Sequence, residues 1–231
     1  MAGAPPGARR RGRLVRRRGG ARRPPRAARE RVLTWFPVEV YEEHYVASDD
    51  PRRQSGFGGD EERWEAARRP IGEAIYRPGS FLDVGCANGY LLESLARWSP
   101  HPIEPYGLDF SARLVELARA RLPQWADRFF VGDALEWEPP RRFDFVRTEL
   151  VYAPEERRRE LIERLLARVL APGGRLIVCG YGSPRSGVPT DPVRRIVREW
   201  GYEPELEVAA GAPEGGGPIV ELAVLGVAPA P

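Results

Sequence analysis

Apolar and polar positions alternate in blocks along this chain. Short apolar runs end in small or acidic residues, and apolar-periodic stretches follow them. Phe81-Leu82-Asp83-Val84 runs into Gly85-Cys86-Ala87-Asn88-Gly89-Tyr90, and Leu91-Leu92-Glu93-Ser94-Leu95-Ala96 comes directly after. That order reads as buried strand, tight turn and helix. The pattern recurs. It predicts strands near 81–85, 105–109 and 128–132, and helices near 89–98 and 111–122, the second with Ser111 as N-cap. Residues 142–147 read as a fourth strand. Pro154-Glu155-Glu156 then starts a helix that reaches about 170, with Leu161, Leu165, Leu166, Val169 and Leu170 as its apolar stripe. A turn at 170–174 leads to a fifth strand at 175–180. Asp191-Pro192 predicts a helix with Asp as cap and Pro first inside, ending at Gly201. Residues 205–209 and 219–227 predict two last strands, joined by a Gly-rich loop at 211–217. Strand and helix in alternation imply right-handed crossovers and an α/β, doubly wound, mostly parallel sheet.

The chain before 81 is different. Residues 32–80 are rich in aromatics, with a helix predicted at 60–76 that puts Trp64, Ala67, Ile71 and Ile75 near one face. A Gly56–Gly59 turn precedes it, read either as a mobile lid or as a plain connection. Residues 1–31 hold twelve Arg and one Glu among Gly, Ala and Pro, a net charge of +11. Such a segment buries too little apolar surface to offset the entropy of ordering, so it reads as a disordered tail. It is either an arm for nucleic acid or a solvated extension. The second is favoured, because no aromatic residues interleave with the arginines.

Charge changes the picture further. The whole chain is +3, but residues 32–231 hold 24 Arg against 32 acids, a net charge of −8. An acidic body disfavours nucleic acid across the core, leaving the Arg-rich tail as its one route to RNA or DNA. Every basic residue is Arg, so mechanisms that need a catalytic lysine are excluded. Cys86 and Cys179 read as reduced, buried small hydrophobes, which with no secretory signal points to the cytoplasm. Two Cys and two His, widely separated, give no metal spacing. No apolar run is long enough to span a membrane. Oligomeric state has no sequence signal.

The chemistry-bearing residues lie at predicted strand ends. Small residues at Gly85, Ala87 and Gly89 let the backbone pass close to a ligand, and the turn feeds a helix N-terminus that favours negative charge. Asp109 ends the second strand, twenty residues after Gly89, where nucleotide-binding α/β units place a carboxylate for ribose hydroxyls. Gly132-Asp133-Ala134 ends the third strand. A turn acid or helix cap is the plainer role for Asp109 and Asp133, and loop capping for Asp83. Three acids at three successive strand ends favour the ligand role.

Asp83-x-Gly85-x-Ala87-x-Gly89 resembles motif I of the class I S-adenosylmethionine-dependent methyltransferases, whose usual form is acid-x-Gly-x-Gly-x-Gly. Ala87 and Asn88 depart from it. Leu170-x-Pro172-Gly173-Gly174-x-Leu176 resembles a further segment of the same family. The resemblance covers about 80–227. It implies a seven-stranded Rossmann-like sheet with an antiparallel C-terminal hairpin, an N-terminal cap over 32–80 and a cofactor-binding core from 81 to 231. It implies S-adenosylmethionine as cofactor and S-adenosylhomocysteine as product. By the same resemblance, Gly85, Ala87 and Gly89 face the methionine part, and Asp83 orients the loop or reaches the ammonium through water. Asp109 takes the ribose diol, Phe110 touches adenine, and Asp133 and Ala134 read its edge. Arg147 and Thr148 lie near the methyl-transfer end. Glu149 and Tyr152 are the candidates for base or acceptor contact, with His44 a further candidate base. The Asn/Asp-Pro-Pro-Tyr/Phe signature of amino methylation is missing at 148–151, and no Pro-Cys pair exists for cytosine methylation. A small-molecule acceptor is the reading that remains, against an RNA methyltransferase, a non-catalytic cofactor-binding protein or a nicotinamide-dependent reductase.

Overall fold

A computed structural model describes residues 38–226, together with Met1. The Arg-rich tail, the 32–37 part of the expected cap and the last residue of the expected final strand lie outside the described residues.

Seven strands form one sheet: β1 (Gly79–Val84), β2 (Ile103–Asp109), β3 (Phe129–Val131), β4 (Phe143–Glu149), β5 (Leu170–Tyr181), β6 (Leu206–Gly211) and β7 (Pro218–Gly226). Their order is β3-β2-β1-β4-β5-β7-β6. The first five are parallel, and β7 pairs antiparallel with both β5 and β6. The order reverses between β1 and β4. Ligands of such sheets bind there, outside the carboxyl ends of the strands.

Both faces of the sheet are buried. In β5, Ile177 and Cys179 face one core while Leu176 and Val178 face the other, as the two-residue period of a strand requires. The first core takes the helices α2 (Glu61–Arg68), α3 (Tyr90–Trp98) and α4 (Ala112–Arg121). The second takes α5 (Arg158–Arg164) and α6 (Val193–Glu199). A short helix, α1 (Val38–Tyr45), precedes them. Among the described residues no helix is long and apolar enough to cross a membrane. Both cysteines are free and buried.

Several expected elements differ in detail. The helix expected over 60–76 is α2 followed by a 3-10 stretch, Arg69–Ala74, because Pro70 brings no N–H to continue the α ladder. Its stripe holds: Trp64, Ala67, Ile71 and Ile75 are all buried. Residues 170–174 belong to β5 rather than to a separate turn, with a register irregularity between Phe143 and Phe145 opposite them. Helix α6 begins at Val193 with Pro192 in the cap position and no side-chain cap. Ser111 caps α4 as expected, accepting from the Leu114 N–H at 3.1 Å.

Candidate active site

The turn after β1 is built by backbone geometry. Gly85 and Gly89 have φ of 78° and 74°, and Ala87 has φ of 45°, the only non-glycine residue in the left-handed region among the described residues. The Leu108 carbonyl at the end of β2 accepts from the N–H groups of Gly85 (2.7 Å) and Cys86 (3.1 Å). Asp109 holds the next one: its Oδ2 accepts from the Ala87 N–H at 2.9 Å, while its Oδ1 accepts from the Ser111 N–H at 2.9 Å. The loop is thus oriented by Asp109 and not by Asp83, whose side chain makes no hydrogen bond to it among the described residues.

Asp83 is instead committed across the sheet. It lies opposite Arg147 in the β1–β4 register, and the two side chains meet at 3.2 Å, both almost completely buried. Arg147 also pairs with Glu149 and donates to the hydroxyls of Tyr152 (3.1 Å) and Tyr181 (3.3 Å). Tyr152 in turn donates to Glu149 at 2.8 Å. So β1, β4, the end of β5 and the short turn Leu150–Tyr152 deliver one buried polar cluster at the carboxyl edge of the sheet. Arg68, at the end of α2, stacks on Tyr181 with its guanidinium carbon 3.6 Å from the ring centroid.

Burial shapes the acidity of these groups. Desolvation raises Asp83 to about 6, with the nearby Arg147 charge and hydrogen bond opposing it. Desolvation likewise raises Asp109 to about 6, against the hydrogen bonds it accepts from the Ser111 and Ala87 backbone. Burial pushes the phenol of Tyr152 well above its ordinary value, despite the Arg147 charge. Its hydroxyl thus keeps the proton that it donates to Glu149.

The other expected residues fall into two groups. Phe110 is exposed beside Asp109, and Asp133 is exposed at the end of β3, where its Oδ1 accepts from the Leu135 N–H at 2.8 Å. Ala134 packs against the second core. These three line the rim beyond β2 and β3. Thr148 and His44 do not join the cluster. The alternation of β4 turns Thr148 away from Arg147, and it is fully buried with its hydroxyl 3.4 Å from the Glu149 carbonyl. His44 is exposed on α1, edge-on to Tyr45 with ring centroids 6.1 Å apart.

Three further contributors were not expected from sequence. Asn88 is fully buried. Its amide donates to the Pro51 carbonyl (2.9 Å) and to Gln54 (3.2 Å), and its oxygen accepts from the Tyr90 N–H at 3.1 Å. Glu42 of α1 accepts from the Ser111 hydroxyl at 2.6 Å, which brings α1 over the end of β2. Arg68, though not singled out, leaves a readable trace: it falls on the Trp64–Ile71–Ile75 stripe at helical spacing, a charge among apolar positions.

Comparison with known proteins agrees with this geometry. A methyltransferase domain family matches residues 81–174. Over 122 residues the chain is 37% identical to trans-aconitate 2-methyltransferase of Methylobacterium radiotolerans, covering 50% of this chain and 45% of that protein. The chain thus spans less than half the length of that relative. Among solved structures, the N-methyltransferase NodS of Bradyrhizobium japonicum, in complex with S-adenosylhomocysteine, superposes with a TM-score of 0.61 at 19% identity, over 81% of this chain and 96% of that one. The 1,6-didemethyltoxoflavin-N1-methyltransferase of Burkholderia thailandensis gives 0.59 at 15% identity, over 82% and 86%. The matched methyltransferase domain, the strand order and the motif I turn are those of the class I S-adenosylmethionine-dependent methyltransferase fold.

Proposed function

We propose that this chain methylates a small-molecule acceptor with S-adenosylmethionine as donor. The observation that carries the reading is Asp109. It is a carboxylate at the carboxyl end of β2, bonded to the turn that follows β1 beside the topological switch, 5% exposed, with no ion pair among the described residues. The backbone N–H groups of Ala87 and Ser111 hold its two oxygens in place, and that of Phe110 adds a third hydrogen bond. A buried carboxylate without a counter-charge is costly to the fold. A ribose diol, with two hydroxyl donors, is the partner its geometry suits.

The remaining roles follow from position. The 85–89 backbone lies where the methionine part would run, with Phe110, Asp133 and Ala134 on the rim for adenine. When bound, S-adenosylmethionine supplies a methyl group on a sulfonium centre. The Arg147 cluster then faces the acceptor side. Glu149 is engaged by Arg147 and Tyr152, so these residues orient the acceptor rather than deprotonate it. Positioning alone is worth roughly 7–11 kcal/mol of a bimolecular barrier. The net −8 of residues 32–231 supports a small acceptor over a polyanion.

Calorimetry on the full chain tests this. S-adenosylhomocysteine should bind with micromolar affinity, and Asp109→Ala should weaken it at least about tenfold, the cost of a lost charge-assisted hydrogen bond. A folded wild-type protein that binds neither S-adenosylmethionine nor S-adenosylhomocysteine overturns the reading.

A further inference from the structure

Arg68 is 8% exposed, yet its Nη1 has no hydrogen-bond partner among the described residues. Charged groups buried this deeply are normally paired. Three rings surround this one instead: Tyr181, with Trp64 at 5.0 Å and Phe57 at 5.3 Å from the guanidinium carbon. Stacking on ring faces orients a guanidinium but leaves its in-plane N–H groups unused. Arg147, the other guanidinium at the site, already has both terminal nitrogens on Asp83, Glu149, Tyr152 and Tyr181. Arg68 is connected to that cluster through Tyr181, and its charge is felt at Asp83.

We propose that Arg68 is the anion-recognising group of the acceptor pocket, and that the acceptor is a small molecule bearing a carboxylate. This rests on the methyltransferase reading above. A planar guanidinium with unused N–H groups matches a carboxylate in shape and charge, and matches a neutral acceptor poorly. The local charge also fits. Arg68 and Arg147 balance Asp83 and Glu149, and the sulfonium of the bound cofactor adds one positive charge, which a carboxylate neutralises. A carboxylate acceptor is already a nucleophile without losing a proton, so a site with no free base is sufficient for it. Phe57 closes the guanidinium off on one side. It sits on the turn between Gly56 (φ 76°) and the exposed Gly58, edge-on to Trp64 with ring centroids 5.3 Å apart.

The test is calorimetry on the full chain, first with S-adenosylhomocysteine alone and then with it saturating. The probes are trans-aconitate, citrate and benzoate, each beside its fully methylated ester. At least one free acid should bind, and its ester should not. Arg68→Gln should weaken that acid at least about tenfold, while leaving S-adenosylhomocysteine affinity within about twofold. Arg68→Lys should fall between the two, since it keeps the charge and loses the fork. Two results overturn the proposal: binding of S-adenosylhomocysteine with none of the three acids, or equal acid binding in the wild type and Arg68→Gln. If Arg68→Gln no longer folds, the acid-against-ester comparison on the wild type decides. Loss of S-adenosylhomocysteine binding by the wild type would instead sink the methyltransferase reading.

Discussion

Gly85 and Tyr152 are locked together at the residue scale. Gly85 takes a φ of 78°, and a Cβ there would stand inside the Tyr152 ring. Two separate costs therefore meet any larger residue: the left-handed backbone and the overlap. Gly85→Ala should lower the unfolding free energy by about 2–4 kcal/mol, the sum of a strained φ and an overpacked contact. Adding Tyr152→Ala to Gly85→Ala should remove the overlap and leave the backbone cost, so the double variant loses less than the two single losses added together. Urea unfolding of the four proteins reads this directly. Strict additivity would show that the ring moves aside freely.

Asn88 works at the scale of elements. It joins the motif I turn, the N-terminus of α3 and the 51–54 segment through one amide. Asn88→Ala should cost about 1–3 kcal/mol, because it leaves buried polar groups unpaired. The loss should be local. Amide exchange should quicken at Ser55, Gly56 and Phe57 far more than in β1 or β4, and equal acceleration across the sheet would contradict the assignment. This element scale also shows what was legible from sequence. The strand–turn–helix units could be read because period and punctuation change together at each boundary, as at Val84–Gly85 and Asp109–Ser111. Asp83, Asp109 and Asp133 could be singled out because each lies within two residues of a strand end. The Asp83–Arg147 pair could not, since it depends on which strands become neighbours and in what register. Nor could the breakdown of 60–76 at Pro70 be separated from a kink, or the role of Asn88 be seen, because its partners lie 34 and 37 residues away in an aperiodic segment.

At the scale of the whole molecule, binding and ligand-free stability should respond to pH in opposite directions. Burial holds Asp109 at about 6 in the folded chain, against an ordinary 3.8. The folded state therefore takes up this proton more readily than the unfolded chain does. The protonated carboxyl favours folding fully below about pH 4, and that contribution is lost as pH rises through about 6, up to about 3 kcal/mol for this residue. A ribose diol needs the opposite form, because only the ionised carboxylate accepts from both hydroxyls. Affinity for S-adenosylhomocysteine should then fall as pH drops below about 6, by up to about tenfold per pH unit for each linked group. Asp83, also held at about 6, adds a second such group only if it responds to the ligand through Arg147. Asp109→Asn separates the contributions. Its stability relative to wild type should rise between about pH 4.5 and about pH 7.5, while its S-adenosylhomocysteine affinity, weaker throughout, should lose most of its dependence on pH. Thermal unfolding with and without S-adenosylhomocysteine, across that range, measures both at once. Wild-type affinity that tightens on acidification would mean that Asp109 meets the ligand as a neutral acid, and that the diol is held elsewhere.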